Sequence, residues 1–244
     1  MMENIGYLDL HSHILPGIDD GSKDWDMTEG MLRAAYRQGV RTIVATPHNY
    51  QEDVKQDNGR IRDLCRRAEE LAQMIDSSFH VLPGNEVLYR AGIPAEVEAG
   101  HVLTLGDSAY LLVEFFPSES YTRISQGLRE LVGYGYYPVI AHMERVGALF
   151  GNEKRINEVV EMGCYLQVNC QSLMGGFFDR QSSVLRKLIQ NRKIHFLGSD
   201  CHNLSGRPPI MEDCVKRLYQ KLPKDCVERL LYGNQEQFLS KKCI

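Results

Sequence analysis

Short runs of β-branched, aromatic and aliphatic residues alternate along this chain with longer stretches whose apolar positions recur every three or four residues. The short runs read as strands and the long ones as amphipathic helices. A strand-helix order of this kind predicts parallel strands joined by helical crossovers. About seven strands are expected: IGYLDL from Ile5, VRTIVAT from Val40, FHVLPG from Phe79, AYLLVEFF from Ala109, YPVIAH from Tyr137, CYLQVN from Cys164 and IHFLGS from Ile194. Helices are expected near Thr28 to Gln38, Ile61 to Ile75, Ser120 to Tyr134, Glu153 to Met162 and Ser183 to Asn191, with mostly helix from Ile210 onward. The fourth and fifth runs are almost continuously apolar, the pattern of strands covered on both faces, so the expected fold is α/β with a closed or nearly closed barrel. No linker, repeat or low-complexity tract divides the chain, and one domain over residues 1–244 follows. The polar stretch NYQEDVKQDNGR from Asn49 is expected to be a mobile loop within it.

What stands at the strand ends changes the picture from fold to chemistry. His11 and His13, His48, Glu86, Glu114, His142, and Asp200 with His202 follow successive strands. In a parallel barrel the carboxyl ends open onto one face, so residues scattered from 11 to 202 would converge on one bowl. His11 and His13 are two apart on a strand and share a face, as do Asp200 and His202 if the strand continues. Asp9 has the same parity and is a candidate for orienting an imidazole. Glu114 lies inside LLVEFF, where a carboxylate needs a cation or strong donors. His80, His101 and His195 lack this setting and read as ordinary histidines. With an aspartate from the loop GIDDG the set reaches nine ligands, five imidazoles and four carboxylates, which implies two or three divalent ions at a catalytic centre. Manganese is the first choice, with iron, zinc or cobalt as alternatives.

Charge excludes some functions and sharpens another. The 28 Lys and Arg against 32 Asp and Glu give a formal charge of -4, which disfavours nucleic acid as a partner. Seven cysteines without a Cys-x-x-Cys clip argue against a disulfide framework and for a reducing cytoplasm. No run approaches membrane-spanning length, so no membrane insertion is expected. Three divalent ions among four carboxylates would sum to about +2 and attract a phosphate dianion. Arg145 in AHMERV and Arg207 in HNLSGRPP fit that reading, since the guanidinium fork suits phosphate oxygens. The stretch CHNLSGR also matches the Cys-x5-Arg pattern of thiolate phosphatases, but Pro208 follows the arginine and the loop has one glycine, so Cys201 is read as a decoy.

HSHILPGIDDGSKD, ATPHN, LPGNEV, VEF, AHMERV and GSDCHNLSGRPP, in this order between Tyr7 and Pro209, resemble the PHP (polymerase and histidinol phosphatase) superfamily. They resemble in particular its branch of bacterial capsular and exopolysaccharide tyrosine-protein phosphatases, the CpsB/CapC family. The resemblance implies a distorted (β/α)7 TIM-like barrel, the PHP fold, with a metal cluster at the carboxyl face, and hydrolysis of phosphotyrosine on proteins. It implies His11, His13, Asp20, His48, Glu86, Glu114, His142, Asp200 and His202 as metal ligands, with Asp19 beside the site in a supporting role. Arg145 and Arg207 would contact phosphate, and His48 and His202 are carried with them as catalytic candidates. The implied substrate is a bacterial tyrosine autokinase controlling capsular or exopolysaccharide synthesis. Rival readings are a small-molecule phosphatase of the histidinol phosphatase type and a regulator that binds phosphotyrosine without hydrolysis.

Overall fold

The computed structural model describes residues 6–50, 57–176 and 179–244. The elements run β1 (Tyr7–Ser12), α1 (Trp25–Arg37), β2 (Val40–Ala45), β3 (His48–Asn49), α2 (Asn58–Ile75), β4 (His80–Pro83), β5 (Glu86–Leu88), α3 (Ile93–Glu98), β6 (Tyr110–Glu114) and α4 (Tyr121–Gly133). They continue as β7 (Tyr137–Ile140), α5 (Glu153–Glu161), β8 (Tyr165–Asn169), α6 (Arg180–Gln190), β9 (Phe196–Gly198), α7 (Glu212–Lys221), α8 (Lys224–Glu228) and α9 (Asn234–Leu239). Helix starts are set by side-chain caps. Asp24, Asp57, Ser120, Asn152 and Asp179 each accept a backbone N–H from the first turn of the helix that follows. In α1 the buried positions Thr28, Met31, Leu32 and Ala35 form one stripe, and the helix ends just before Gly39, whose φ of +82° suits glycine.

Every strand pair is parallel, and the ladders form a ring. β2 and β3 are one run of chain bent at Thr46 and Pro47, and β4 and β5 are one run bent at Gly84 and Asn85. Taken so, the nine segments are seven strands, as the hydrophobic runs predict. β1 pairs with β2, β2/β3 with β4/β5, and the ladder passes through β6, β7 and β8 to β9. A bridge between Ser12 and Cys201 closes it, with Asp200 N–H donating to His11 O at 2.8 Å. The architecture is a distorted TIM-like barrel.

Two apolar clusters show how alternation along the strands is spent. Ile43, Val81, Leu111, Val113, Ile140, Leu166, Val168 and Leu197 pack outward under the helices. Leu8, Leu10, Val44, Tyr110, Leu112, Val139, Ala141, Tyr165 and Phe196 fill the barrel interior, joined by Phe238 of α9. Leu218, Leu222, Leu230 and Leu231 join the outer cluster, so the C-terminal helices pack against the barrel. All seven cysteines are unpaired, and Cys243 is exposed.

Some expectations change. In the polar stretch from Asn49 to Arg60, residues 51–56 lie outside the described residues, but Asn49 ends β3 and Asn58 begins α2 rather than continuing a loop. Ile5 of the first run also lies outside the described residues. The short helix α3 has no counterpart in the hydrophobic pattern. Among the described residues no helix is long and apolar enough to cross a membrane.

Candidate metal centre

The carboxyl ends of the strands deliver their polar side chains into one bowl. Glu86, fully buried at the start of β5, is its hub. Its Oε2 lies 3.2 Å from His11 Nε2, 3.3 Å from His13 Nε2 and 2.8 Å from His48 Nδ1, and its Oε1 lies 2.8 Å from His142 Nε2. Glu114 Oε1 stands 3.5 Å from His142 Nε2. On the other side, Asp200 Oδ1 lies 3.6 Å from His11 Nε2 and 3.5 Å from His13 Nε2. Asp20 Oδ1 lies 3.3 Å from both His48 Nε2 and His202 Nε2. All nine residues named from the sequence therefore meet in one place.

The hydrogen bonds behind the imidazoles fix which nitrogen faces the bowl. Gln167 Oε1 accepts the His142 backbone N–H at 2.7 Å, so it is an acceptor, and the His11 Nδ1 lying 3.2 Å from it must carry the proton. Asp19 Oδ2 lies 2.7 Å from His13 Nδ1 and likewise requires a proton there. Both Nε2 atoms are thereby turned into the bowl, where they face each other at 3.2 Å. His202 Nδ1 donates to Asp200 O at 3.0 Å, which turns its own Nε2 toward the Asp20 carboxylate. Imidazole nitrogens and carboxylate oxygens crowded at such distances call for positive charge among them, which protons or a metal ion can supply.

Three overlapping groups offer donor atoms within 4.8 Å of one another: His13, Asp20, His48 and His202; His11, His13 and Asp200; and His48, Glu86 and Glu114. The buried Glu86 Oε2, His142 Nδ1 and His202 Nε2 lack a hydrogen bond of proper geometry. The residues present thus fit a group of divalent ions.

The protonation tendencies express the same demand for positive charge. Burial works against a charged His13, yet the carboxylates of Asp19 and Glu86 overcome it and hold the ring up to about 10. His142 is raised to about 9 in the same way, by Glu114 and Glu86 against burial. Burial would raise the Glu86 carboxyl, but the surrounding imidazoles hold it well below its ordinary value. The backbone is strained here too: His142 at φ 30° and Asp200 at φ 53° occupy the left-handed region, at a cost of about 1–3 kcal/mol each.

Asp19 and Asp20 divide their work: Asp20 reaches into the bowl, while Asp19 also accepts the N–H of Gly21 at 2.9 Å and of His48 at 3.1 Å, bracing the loop. Arg145 and Arg207 come together on Asp200, at 3.0 Å to Oδ2 and 2.7 Å to Oδ1, with both side chains partly open to solvent. Cys201 is fully buried and burial pushes its thiol far up, so it has no thiolate to offer.

Asp9 departs from expectation. A register irregularity in β1 between Asp9 and Ser12 breaks the shared parity. Asp9 accepts from Ser199 N–H at 2.8 Å and Ser199 Oγ–H at 2.5 Å, and touches His11 only through its backbone N–H. It orients a turn of backbone and no imidazole ring. Three residues escaped the sequence reading. Gln167 and Asn169 stand on β8, where Gln167 Nε2 donates to Asn169 Oδ1 at 2.9 Å and Asn169 Nδ2 donates to Asp200 Oδ2 at 2.8 Å. Two polar residues two apart in an otherwise apolar strand were the available signal. Tyr50, whose ring stacks on His48, is the third.

The model of the family described as capsular polysaccharide synthesis, CpsB/CapC, matches residues 7–240. The tyrosine-protein phosphatase CpsB of Streptococcus pneumoniae is 33% identical over 97% of this chain and 100% of its own length. Crystal structures of YwqE from Bacillus subtilis and CpsB from S. pneumoniae, described as metal-dependent tyrosine phosphatases, superpose with a TM-score of 0.87 at 32% identity, covering 97% of this chain and 96% of theirs. A histidinol phosphate phosphatase from Lactococcus lactis shares the fold at a TM-score of 0.61 and 13% identity, over 88% of this chain and 93% of that one.

Proposed function

Because this chain belongs to the CpsB/CapC capsular polysaccharide synthesis family, we propose that it is a metal-dependent protein-tyrosine phosphatase whose centre is the bowl described above. The observation that carries the reading is the pair of imidazole nitrogens, His11 Nε2 and His13 Nε2, turned face to face at 3.2 Å beside Glu86 and Asp200. His11, His13, Asp20, His48, Glu86, Glu114, His142, Asp200 and His202 are the proposed ligands. Three overlapping donor groups favour three ions over two, and the mixed nitrogen and oxygen donors suit manganese.

Bound divalent ions supply Lewis acidity and a water activated near neutral pH. The chain does the rest. Gln167 and Asp19 lock the tautomers of His11 and His13, so that donor atoms stand ready without reorganisation. Arg145 and Arg207, gathered at Asp200 and reachable from solvent, are placed to take phosphoryl oxygens and to offset the charge that develops on them. A phenolate leaves readily, its conjugate acid having a pKa near ~10, so His48 or His202 need supply little protonation. The proposed substrate is a phosphotyrosine protein, a tyrosine autokinase of polysaccharide synthesis, met in the cytoplasm by a chain working as one domain.

The test is phosphate release from a phosphotyrosine peptide by metal-stripped and manganese-loaded protein, with histidinol phosphate as a second substrate and Cys201→Ser alongside. Activity on the peptide that vanishes on stripping, returns with manganese and survives the serine change is expected. Metal-independent activity lost in Cys201→Ser would overturn the reading.

A further inference from the structure

Among the described residues eight large hydrophobic side chains are well exposed, and three of them share a placement. Tyr50, Phe116 and Leu204, exposed by 47%, 57% and 49%, each stand two residues beyond a residue of the bowl, namely His48, Glu114 and His202. They sit on three different loops, each following directly on a residue of the charged centre. An exposed apolar side chain beside a charged site offers a ligand a contact that the site itself lacks.

Two of them are held. The Tyr50 ring stacks on His48 with centroids 4.3 Å apart and planes 25° from parallel, and its hydroxyl lies 2.9 Å from His48 Nε2. Leu204 rests on α1 at Gly30, where a Cβ would come within 2.8 Å of Leu204 Cδ1, so that glycine makes room for it.

We propose that Tyr50, assisted by Phe116 and Leu204, is the specificity-determining residue of the site, forming an apolar rim that grips the aromatic ring of an aryl phosphate while its phosphate lies in the bowl. The proposal rests on the phosphatase reading and gives it a physical basis for choosing tyrosine. In an aryl phosphate the flat ring lies next to the phosphate, at the height of the rim, and holds the rest of the substrate several ångström farther out. An alkyl phosphate such as phosphoserine reaches the same bowl with nothing for the rim to touch, and its backbone is drawn against the loops. The rim therefore rewards one class and adds nothing for the other.

Binding of two phosphonates that cannot be hydrolysed tests this without activity as the readout. Manganese-loaded protein is titrated calorimetrically with benzylphosphonate and with methylphosphonate. The wild type should bind the benzyl compound more tightly. Tyr50→Ala should weaken it by about three- to tenfold and leave methylphosphonate and metal content unchanged, while Tyr50→Phe keeps the preference. Adding Phe116→Ala and Leu204→Ala should erase what preference remains. Equal weakening of both phosphonates in Tyr50→Ala would mean that Tyr50 acts through His48, and an unchanged ratio would mean that the rim grips nothing; either overturns the proposal. Failure of the phosphatase reading is seen separately, as no phosphate release from a phosphotyrosine peptide by the loaded wild type.

Discussion

At the amino end of the barrel Tyr110 meets Tyr137, Phe196 and Phe238 edge to face at 5.2, 5.8 and 5.4 Å, and its hydroxyl donates to the carbonyl of Lys242 at 2.7 Å. Two to four residues further along the same strands the interior is the opposite. On β6 Tyr110 gives way to Glu114, on β8 Tyr165 to Gln167 and Asn169, and beyond β9 Phe196 to Asp200. One end is apolar with its polar atoms satisfied, and the other is a crowd of imidazoles and carboxylates. Histidine shows the contrast within one residue type. His195, buried beside Tyr165 at the amino end, is pushed down to about 4, chiefly by burial and then by Arg229 and Lys193. His13, buried more fully still, is held up to about 10 because Asp19 and Glu86 face it. The difference teaches that burial alone does not make a site: the amino end spends it on stability, and the carboxyl end spends it on sharpening charge.

The sharpest attempt to break this division is Glu86→Gln, at the hub. It should lower activity by about a thousandfold or more and reduce bound manganese, yet leave the melting temperature of the metal-stripped protein within a few degrees. A collapse of the stripped protein would show that Glu86 also holds the barrel together. The mirror experiment is Phe238→Ala, which should cost about 3–5 kcal/mol in urea unfolding and leave kcat and metal content intact below the transition. Loss of metal in that variant would join the two ends. Gly198 lies between them, where a Cβ would come within 2.6 Å of His11 Cβ and 2.8 Å of Gln167 Nε2. Gly198→Ala should therefore push His11 from Gln167 and weaken manganese binding by about 10- to 100-fold, measured by competition with a chelator.

The smallest effect concerns His195. Its ordinary value is about 6.5, so between there and about 4 the unfolded chain takes up a proton that the folded one refuses. Stability falls as pH drops through that window, by about 1 kcal/mol per pH unit. His195→Gln, which keeps an acceptor for the Leu166 N–H, should flatten the slope. An unchanged slope would assign it to other groups.

The seven-strand barrel was legible because strands covered on both faces cannot hide their apolar runs, and most of the bowl was legible because its residues stand where such runs stop; Asp20, in a loop beyond β1, was named over Asp19 only through the family resemblance. The bends at Thr46–Pro47 and Gly84–Asn85 were not, since a strand that bends and resumes after two residues has the composition of one that ends. Parity failed at Asp9 because it assumes an uninterrupted pleat, and β1 slips between Asp9 and Ser12. That slip puts Leu10 in the interior cluster and still turns the next residue, His11, toward Glu86. Gln167 and Asn169 went unread because their partners, His11 and Asp200, are distant in sequence and only the closed ring brings them near.

Ring closure also has a consequence in time. The bond from Asp9 to Ser199 joins residues 190 apart, and pairings at such separation form late because long loops must close first. A chain still being synthesised carries His11, His13 and His48 before it owns Asp200 and His202, so the nine residues of the bowl come together only after the last strand has docked on the first. The bowl therefore takes its final shape only when the two ends of the chain meet.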